Sequence, residues 1–523
     1  MEGKHHMKRM IAATLTLALT TAALAGCAAN AAAPTDDQNT VAAATMSNET
    51  RKTPKYVFLF IGDGMSYPQI QSTSDYLGAL NDEDYWQAQP SLDDNQGAIL
   101  DGPEYLNFMN FEGVGTAVTF DSNSFAPDSA STATSIATGH KTYSGSINVD
   151  ETGTVEYETI AEQLKAQKGY EIGVITSVNL NHATPAAFYA HQASRSSYYE
   201  IGLEMVESDF DYFAGGGLLD PTGSEGDQTD LYQLAQEAGY TVARTYAEAD
   251  AISADTDKAI IIEENLADSD AIPYEIDRTD DMWSLADYVE KGIEVLDNDT
   301  GFFMMCEGGK IDWACHANDA GSSIHDTQAL ADAVQVAIDF AAEHPDETLI
   351  LVTGDHETGG LTIGFAGTDY DTYLDLLENQ KISYAKFDSD YVASYKENKT
   401  PFEDVLSDIE ELFGLKAQGA ADDKLVLTEY EMEQLRAAYE KSVNGTAASE
   451  YEQEEYVLYG TYEPLSVTIT HIINNKSGIS FTSYSHTGLP VAVLAEGVGA
   501  ENFSGYYDNT QIYEKMADLL NIA

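Results

Sequence analysis

Four continuous apolar runs dominate the hydrophobic pattern of this chain. They cover residues 56–61, 172–176, 302–306 and 348–353, and glycine or polar side chains follow each of them. Short continuous apolar runs of this kind are typical of strands that are buried on both faces, as in a parallel sheet. We therefore predict an α/β fold with a mostly parallel central sheet and helices on both faces.

Side chains able to bind metals or protons follow the runs. They are Asp63 after the first run, His182 and Thr184 after the second, Glu307 and Asp312 after the third, and Asp355 and His356 after the fourth. In open α/β sheets, ligands bind beyond the carboxyl ends of the strands. We expect these side chains to meet at one edge of the sheet and form one site.

Two features of the sequence are suited to an anion. Asp128 is a good N-cap, and the small residues from Ser129 up to Gly139 can form a closely packed helix. Ser129 would lie in its first turn, where free N–H groups and the helix dipole favour an anion such as phosphate. Arg195 carries a guanidinium fork that matches two phosphate oxygens. Taken alone, the stretch also fits an ordinary capped helix, and Arg195 fits a surface charge.

One zinc site is indicated by spacing. Asp312 and His316 are four residues apart, so on a helical turn they face the same way. With a third imidazole they would form a zinc site that keeps an open position, and His486 is the candidate. A lone histidine is more often a core or surface residue, so the interpretation depends on all three being together.

A second metal pair is suggested by the remaining side chains. Asp355 and His356 are adjacent and could hold another zinc ion together with Asp63, although an Asp-His pair also occurs in turns. Glu307 and Thr184 offer only oxygen atoms, which suit magnesium.

In combination, these segments resemble the alkaline phosphatase family. The resemblance rests on residues 61–65, 128–130, 307–312, 355–360 and 486–488, which stand in the family's order. It covers residues 54–365 and 480–520.

The resemblance implies a metal-dependent phosphate monoester hydrolase with broad specificity, acting outside the cytoplasm through a phosphoserine intermediate. Ser129 would be the nucleophile, and Arg195 would hold the phosphate. It also implies a homodimer. The implied ligands are Asp312, His316 and His486 for the first zinc ion, Asp63, Asp355 and His356 for the second, and Asp63, Thr184 and Glu307 for one magnesium ion.

Two positions beside the site take a variant form. His182 stands where some bacterial members carry an aspartate near the magnesium, and Trp313 stands where they carry a lysine near the phosphate. Magnesium prefers oxygen ligands, whereas imidazole suits zinc. We expect the third metal site to bind magnesium weakly and to accept zinc in its place.

Rival functions remain open at this point. A sulfatase would need a Cys/Ser-x-Pro-x-Arg context, which Ser129 lacks. Phosphodiesterases of the same superfamily commonly use threonine and lack the magnesium ligands, whereas Glu307 and Thr184 are present here. A non-enzymatic phosphate-binding lipoprotein would need neither the serine nor paired zinc sites.

Charge excludes one class of partner. The chain has 25 Lys and Arg against 88 Asp and Glu, a formal net charge of −63. Such a surface repels nucleic acid and anionic lipid, so nucleic acid is not expected as a binding partner.

The start of the chain has the pattern of a lipoprotein leader. Residues 1–26 contain basic positions followed by an apolar stretch, and Cys27 comes directly after Leu-Ala-Gly, as in a bacterial lipobox. We predict an extracytoplasmic protein anchored to the bacterial membrane only through a lipid on Cys27, with residues 27–53 as a flexible tether. Plain secretion is the alternative.

We assign residues 54–523 to a catalytic domain with an insertion at about 366–480. Within the insertion, residues 402–414 and 428–442 have helical apolar spacing. The insertion is either a solvated decoration or a subdomain that covers the site or clasps a second subunit. The cysteines of the domain, Cys306 and Cys315, are expected to be buried free thiols.

Overall fold

The computed structural model describes residues 52–85, 99–445 and 452–522. The predicted leader, Cys27 and nearly all of the predicted tether lie outside the described residues, so these assignments stay predictions. Within the described ranges, no helix combines the length and the apolar character needed to cross a membrane. Cys306 and Cys315 are buried free thiols, as predicted.

A ten-stranded sheet forms the centre of the described chain. Its order is β14-β2-β13-β8-β1-β7-β3-β4-β6-β5, and β13 runs antiparallel to its neighbours β2 and β8 while the other pairs are parallel. The prediction of a mostly parallel sheet is confirmed. The strands, including two short ribbons outside this sheet, are β1 (Tyr56–Gly62), β2 (Gly113–Val118), β3 (Glu171–Asn179), β4 (Tyr212–Gly216), β5 (Thr241–Ala243), β6 (Ala259–Ile262), β7 (Phe302–Gly308), β8 (Thr348–Gly354), β9 (Glu357–Thr358), β10 (Thr362–Ile363), β11 (Ile479–Ser480), β12 (His486–Thr487), β13 (Val491–Gly497) and β14 (Gly505–Asp508).

Helices of the described chain connect and cover these strands. They are α1 (Tyr67–Asn81), α2 (Ser129–Thr138), α3 (Ile160–Lys168), α4 (Ala183–Ala186), α5 (Tyr198–Glu207), α6 (Leu231–Glu237), α7 (Tyr246–Asp250), α8 (Leu285–Leu296), α9 (Lys310–His316), α10 (Ala320–Glu343), α11 (Tyr384–Phe387), α12 (Ala393–Asn398), α13 (Phe402–Phe413), α14 (Glu429–Ser442), α15 (Glu452–Tyr459), α16 (Pro464–Ser477) and α17 (Thr510–Leu520).

Both faces of the sheet are buried under helices. Successive side chains of β1 point to opposite faces, so Val57 and Leu59 join one hydrophobic cluster while Tyr56 and Phe58 join another. Helices α2, α3 and α17 contribute to the first cluster, and α8 and α10 contribute to the second. This arrangement explains why the central strands are continuously apolar, and it confirms the expected helices on both faces.

The carboxyl ends of the central strands lie side by side. Strands β8, β1, β7 and β3 are neighbours, and Gly62 at the end of β1 pairs with Gly308 on one side and Gly354 on the other. The polar residues that follow these strands therefore meet at one edge, as the sequence predicted.

The chain between β10 and β11 packs around its own hydrophobic cluster. That cluster includes Phe387, Ile409 and Leu435, and it extends to Tyr76 and Ile324 on α1 and α10. The two helices predicted in this segment are confirmed as α13 and α14. Strands β10 and β11 pair antiparallel and close the segment at its base. The insertion at about 366–480 stays a prediction.

Candidate active site

Helix α2 presents Ser129 at its first residue. The side chain of Asp128 caps the helix by accepting a hydrogen bond from the backbone N–H of Ser131 at 3.1 Å. The helix ends at Gly139, whose φ of 74° is left-handed. Every residue of the helix is buried, because its side chains are small enough for close packing. The predicted capped helix is thus confirmed.

One cluster of ligand-type side chains surrounds the Ser129 hydroxyl. Its Oγ lies 3.3 Å from Asp63 Oδ1 and 3.1 Å from His356 Nε2. His356 Nε2 is in turn 3.2 Å from Asp63 Oδ1 and 3.4 Å from Asp355 Oδ2. Asp63, Asp355 and His356 are fully buried, and their ligand atoms lie within 4.8 Å of one another. The structure brings together all three residues predicted for the second zinc ion.

A second cluster adjoins the first through stacked imidazoles. The rings of His356 and His486 stack with centroids 3.7 Å apart. His316 Nε2 lies 3.0 Å from His486 Nε2 and 3.4 Å from Asp312 Oδ2, so Asp312 and His316 do face the same way. The atoms within 4.8 Å of one another belong to Asp312, His356 and His486. His316 lies at the edge of this group.

Backbone carbonyls orient the two outer imidazoles. His316 Nδ1 lies 2.6 Å from the carbonyl oxygen of Tyr484, and His486 Nδ1 lies 2.6 Å from that of Pro127. A carbonyl can only accept, so each Nδ1 donates and each Nε2 keeps its lone pair for the centre of the site. These partners are not predictable from the sequence, because they follow from tertiary contacts.

Thr358 links the two clusters, and it was not among the predicted site residues. Its hydroxyl donates to Asp312 Oδ1 at 2.5 Å and lies 3.3 Å from His356 Nδ1. Thr358 is fully buried, and it pairs with His486 where β9 meets β12. The one signal for it in the sequence was its position inside the segment 355–360.

Glu357 holds the turn that carries these residues. It is fully buried, and its carboxylate accepts hydrogen bonds from the backbone N–H groups of Gly360 and Leu361, each at 3.1 Å. Gln69 Nε2 donates to the same carboxylate at 2.9 Å, and Thr487 also donates to it. Glu357 is therefore satisfied by protein donors, and it fixes the ribbon that places His486.

A third group lies around the other oxygen of Asp63. Ligand atoms of Asp63, His182 and Glu307 are within 4.8 Å of one another, and Thr184 Oγ1 lies 3.5 Å from Asp63 Oδ2. Glu307 Oε2 accepts a hydrogen bond from Thr176. Glu307 Oε1 and His182 Nδ1 are buried without a hydrogen-bond partner in the part of the chain that the structure describes. His182 thus lies within the third group, whereas the sequence placed it beside the site.

Arg195 is held at two points. Its Nη1 donates to Asp128 Oδ2 at 2.9 Å, and its Nη2 lies 3.3 Å from His182 Nε2. The Trp313 ring meets the His182 ring edge to face, with centroids 5.9 Å apart. Asp128 therefore both caps the helix of Ser129 and aligns the arginine, which gives it a role the sequence did not indicate.

Burial perturbs the ionisation of these groups. Burial, together with neighbouring carboxylates, raises the pKa of Asp63 well above its ordinary value and that of Asp355 to about 7. Burial also raises the pKa of Glu307 to about 8 and lowers the pKa of His182 to about 3. For Asp312, burial acts to raise the pKa, but the surrounding imidazoles outweigh it and the pKa lies below its usual range.

The donor set fits metal ions. Four carboxylates lie buried and close together, at Asp63, Glu307, Asp312 and Asp355. Buried like charges are costly unless cations bind among them. Imidazole nitrogens with carboxylate oxygens suit zinc, and the group of Asp63, Glu307 and Thr184 offers the oxygen atoms that suit magnesium. The unpartnered oxygen of Glu307 is where such an ion would be held.

Comparisons with known proteins agree on one family. The profile of the family described as alkaline phosphatase matches residues 54–522. Alkaline phosphatase 3 of Bacillus subtilis (strain 168) is 30% identical over 469 residues, covering 88% of this chain and 87% of the relative.

Solved structures are similar to this fold. The cold-active alkaline phosphatase of a psychrophilic Shewanella sp. has a TM-score of 0.70 and 29% identity, covering 89% of this chain and 99% of that one. The alkaline phosphatase of the Antarctic bacterium TAB5 has a TM-score of 0.59 and 25% identity, covering 90% and 99%. A histidine-to-aspartate mutant of the TAB5 enzyme, with TM-score 0.58, 26% identity and coverage of 90% and 99%, has magnesium bound in its M3 site.

Proposed function

Because this chain belongs to the alkaline phosphatase family and is a phosphate monoester hydrolase, we propose that Ser129 is its nucleophile and forms a phosphoserine intermediate. One observation carries the assignment: Ser129 Oγ lies at the first turn of α2, 3.3 Å from Asp63 Oδ1 and 3.1 Å from His356 Nε2. The free N–H groups of that turn favour a bound anion. The Ser129 hydroxyl donates toward Asp63 Oδ1, so the lone pairs of Oγ are available for attack on phosphorus.

Arg195 binds the oxygens of phosphate that do not react. Its fork is held by Asp128, and an aligned guanidinium stabilises charge in the transition state without reorganising. An in-line displacement needs the entering and leaving oxygens on opposite sides of phosphorus. Since Ser129 lies against the cluster of Asp63 and His356, we assign the leaving oxygen to the cluster of Asp312, His316 and His486.

We assign zinc to these two clusters and magnesium to the third group. Support comes from three groups whose ligand atoms lie within 4.8 Å of one another: Asp312, His356 and His486; Asp63, Asp355 and His356; and Asp63, His182 and Glu307. His316 Nε2 lies 3.4 Å from Asp312 Oδ2, and Thr184 Oγ1 lies 3.5 Å from Asp63 Oδ2. When bound, such ions lower the pKa of the serine hydroxyl and stabilise the leaving oxygen. The proposed ligands are Asp312, His316 and His486 for the first zinc ion, Asp63, Asp355 and His356 for the second, and Asp63, Thr184 and Glu307 for magnesium.

Location and assembly are proposed on the sequence pattern and the family resemblance. We propose an extracytoplasmic enzyme with a lipid on Cys27, because the lipobox pattern stands at the end of an apolar leader. A homodimer is proposed from the resemblance. The net charge of −63 disfavours nucleic acid as a binding partner. Phosphate monoesters are proposed as substrates from the family.

The proposed function is tested with a matched pair of substrates. The purified protein is expected to hydrolyse p-nitrophenyl phosphate at alkaline pH faster than bis-p-nitrophenyl phosphate, because the third group of ligands suits a monoesterase. Release of p-nitrophenol is measured for both at equal concentrations. Faster hydrolysis of the diester than of the monoester would assign the chain to the phosphodiesterases. Binding of phosphate without hydrolysis of either substrate would make it a binding protein.

The third site is tested by a double change. His182→Asp with Trp313→Lys adds an oxygen ligand next to Glu307 and an ammonium near the phosphate, so both magnesium and phosphate should bind more tightly. The magnesium-containing mutant of the TAB5 enzyme, in which aspartate replaces a histidine, supports this direction. If product release limits turnover, kcat should fall at the same time.

Calorimetry with magnesium and inhibition by inorganic phosphate give the two affinities. The single mutants serve as controls, since His182→Asp should act mainly on magnesium and Trp313→Lys mainly on phosphate. Unchanged affinities for both ligands in the double mutant would show that these positions do not tune the site.

A further inference from the structure

Two half-buried aromatic side chains stand beside the cluster assigned to the leaving oxygen. Trp313 directly follows Asp312 on α9, and Tyr462 comes from the predicted insertion, just after α15. Both rings pack against one hydrophobic cluster, which includes Tyr274 and Tyr384. The insertion therefore contributes a ring to the same small region as a residue adjacent to a metal ligand.

The position of Tyr462 is fixed by other aromatic rings. Its ring meets Tyr384 edge to face at 5.7 Å and lies 6.3 Å from the ring of Tyr484. The carbonyl of Tyr484 is the one that orients His316. Tyr462 therefore packs against the residue whose carbonyl orients a proposed ligand of the first zinc ion.

The ring of Trp313 packs against a buried lysine. Lys310 is fully buried, and its Nζ lies 4.6 Å from the Trp313 ring, 4.0 Å from the Tyr274 ring and 2.6 Å from Asp268 Oδ1. A desolvated ammonium group attracts the aromatic ring whose face it lies over, and this attraction fixes the plane of the ring. A ring that is already fixed loses little entropy when a ligand stacks on it.

The excess of carboxylates in this chain disfavours a leaving group that carries a charge of its own. Helix α15, which precedes Tyr462, begins with Glu452 and contains Glu454 and Glu455, of which Glu455 is paired with Lys441, and the whole chain carries a net charge of −63. A leaving group with a further negative charge would be repelled, whereas a neutral one would not.

We propose that Trp313 and Tyr462 bind the leaving group of the monoester, and that they favour a neutral leaving group with a planar ring, such as a nucleoside. This inference rests on the proposed function, because it deepens the specificity of the same site. Aromatic side chains stack on bases whatever the base, since every base has a π face. The enzyme should therefore prefer leaving groups that contain a planar ring over those that do not, and it should discriminate little between different planar rings.

The wild-type enzyme gives the first test. Adenosine 5′-monophosphate and ribose 5-phosphate share the same primary alcohol as leaving group and differ by the base, so their kcat/KM ratio measures binding of the ring. We expect adenosine 5′-monophosphate to be preferred by about tenfold. Benzyl phosphate and cyclohexylmethyl phosphate form a second matched pair, for an aryl instead of a nucleoside leaving group.

The wild-type outcomes separate this inference from the function on which it rests. Turnover of all four substrates with ratios near one would overturn the leaving-group site and leave the phosphatase assignment standing. Turnover of none would overturn both. A preference in either pair supports the site and identifies the kind of ring it takes.

Variants then locate the ring-binding surface. Tyr462→Leu and Trp313→Leu should each bring the preferred ratio toward one, whereas Tyr462→Phe, which keeps the ring, should retain it. Tyr430→Leu is the matched control, because Tyr430 lies on α14 in the same predicted insertion and is 69% exposed. A ratio that stays at its wild-type value in both leucine variants would refute the assignment to these two rings.

Discussion

Replacing Ser129 by alanine is expected to lower kcat for phosphate monoesters by about 10⁴-fold or more while the fold is retained. The change removes the Oγ that lies 3.3 Å from Asp63 Oδ1 and 3.1 Å from His356 Nε2, and it leaves the proposed ligands themselves in place. Alanine also keeps the small volume that the buried helix α2 requires. The measurement is single-turnover and steady-state hydrolysis of p-nitrophenyl phosphate, with circular dichroism and metal content as checks.

Ser135→Ala is the matched control on the same helix. The Ser135 hydroxyl is buried and donates to the carbonyl of Ser131 at 3.0 Å within the helix, so its removal should leave kcat within about twofold of wild type. Phosphate trapped on the wild-type protein at low pH should label Ser129. A label on another residue would refute the nucleophile, as would full activity of the Ser129 variant.

Removing the metal ions is expected to abolish turnover and to lower the unfolding temperature. Without cations, the buried carboxylates of Asp63, Asp312 and Asp355 face one another uncompensated, and ions that bind only the folded state stabilise it by mass action. Exhaustive chelation followed by differential scanning calorimetry and an activity assay measures both effects. Zinc should restore activity, with magnesium adding to it. Full activity in metal-free protein would contradict the metal assignment.

The metal-free protein should also lose stability as the pH rises. A carboxyl group with a higher pKa in the folded state binds more protons when folded, so the free energy of unfolding falls as pH rises between the two pKa values. The pKa is raised to about 7 at Asp355 and to about 8 at Glu307, whereas burial lowers the pKa of His182 to about 3. Below the ordinary histidine pKa of about 6.5 the buried imidazole acts in the opposite sense, so the fall is expected between about pH 6.5 and pH 8. Restoring the metals should flatten the dependence.

The central strands could be predicted because burial on both faces produces a recognisable pattern in the local sequence. Strands β1, β3, β7 and β8 are continuous apolar runs, and the polar residues after them mark the site. Strand β2 lacks such a pattern, because glycine alternates with other residues along it. A Cβ at Gly115 would lie 2.1 Å from the carbonyl oxygen of Phe503. The close approach of the Phe503 backbone, and not the burial of an apolar side chain, therefore explains the glycine at this position.

The proposed ligands were recognisable from sequence, but the residues that hold them were not. Ser129, Asp312 and His356 belong to short motifs that resemble one family in their combination and order, although each motif alone also fits an ordinary structural role. Thr358 acts through contacts with two such ligands, and Tyr462 reaches the site from the predicted insertion. No local pattern identifies a contact between segments that far apart in the chain.

The pairing of β10 with β11 at the base of the predicted insertion has a consequence for how the sequences of such enzymes can change. Thr362 pairs with Ser480 and Ile363 with Ile479, and the next ribbon inward pairs Thr358 with His486. A segment whose entry and exit are joined in this way can be lengthened, shortened or exchanged without moving His486, since loop length costs little once its ends are fixed. The residues that carry out the reaction would then stay at the edge of the sheet, together with Trp313. The part of substrate choice that depends on Tyr462 would change with the exchanged segment.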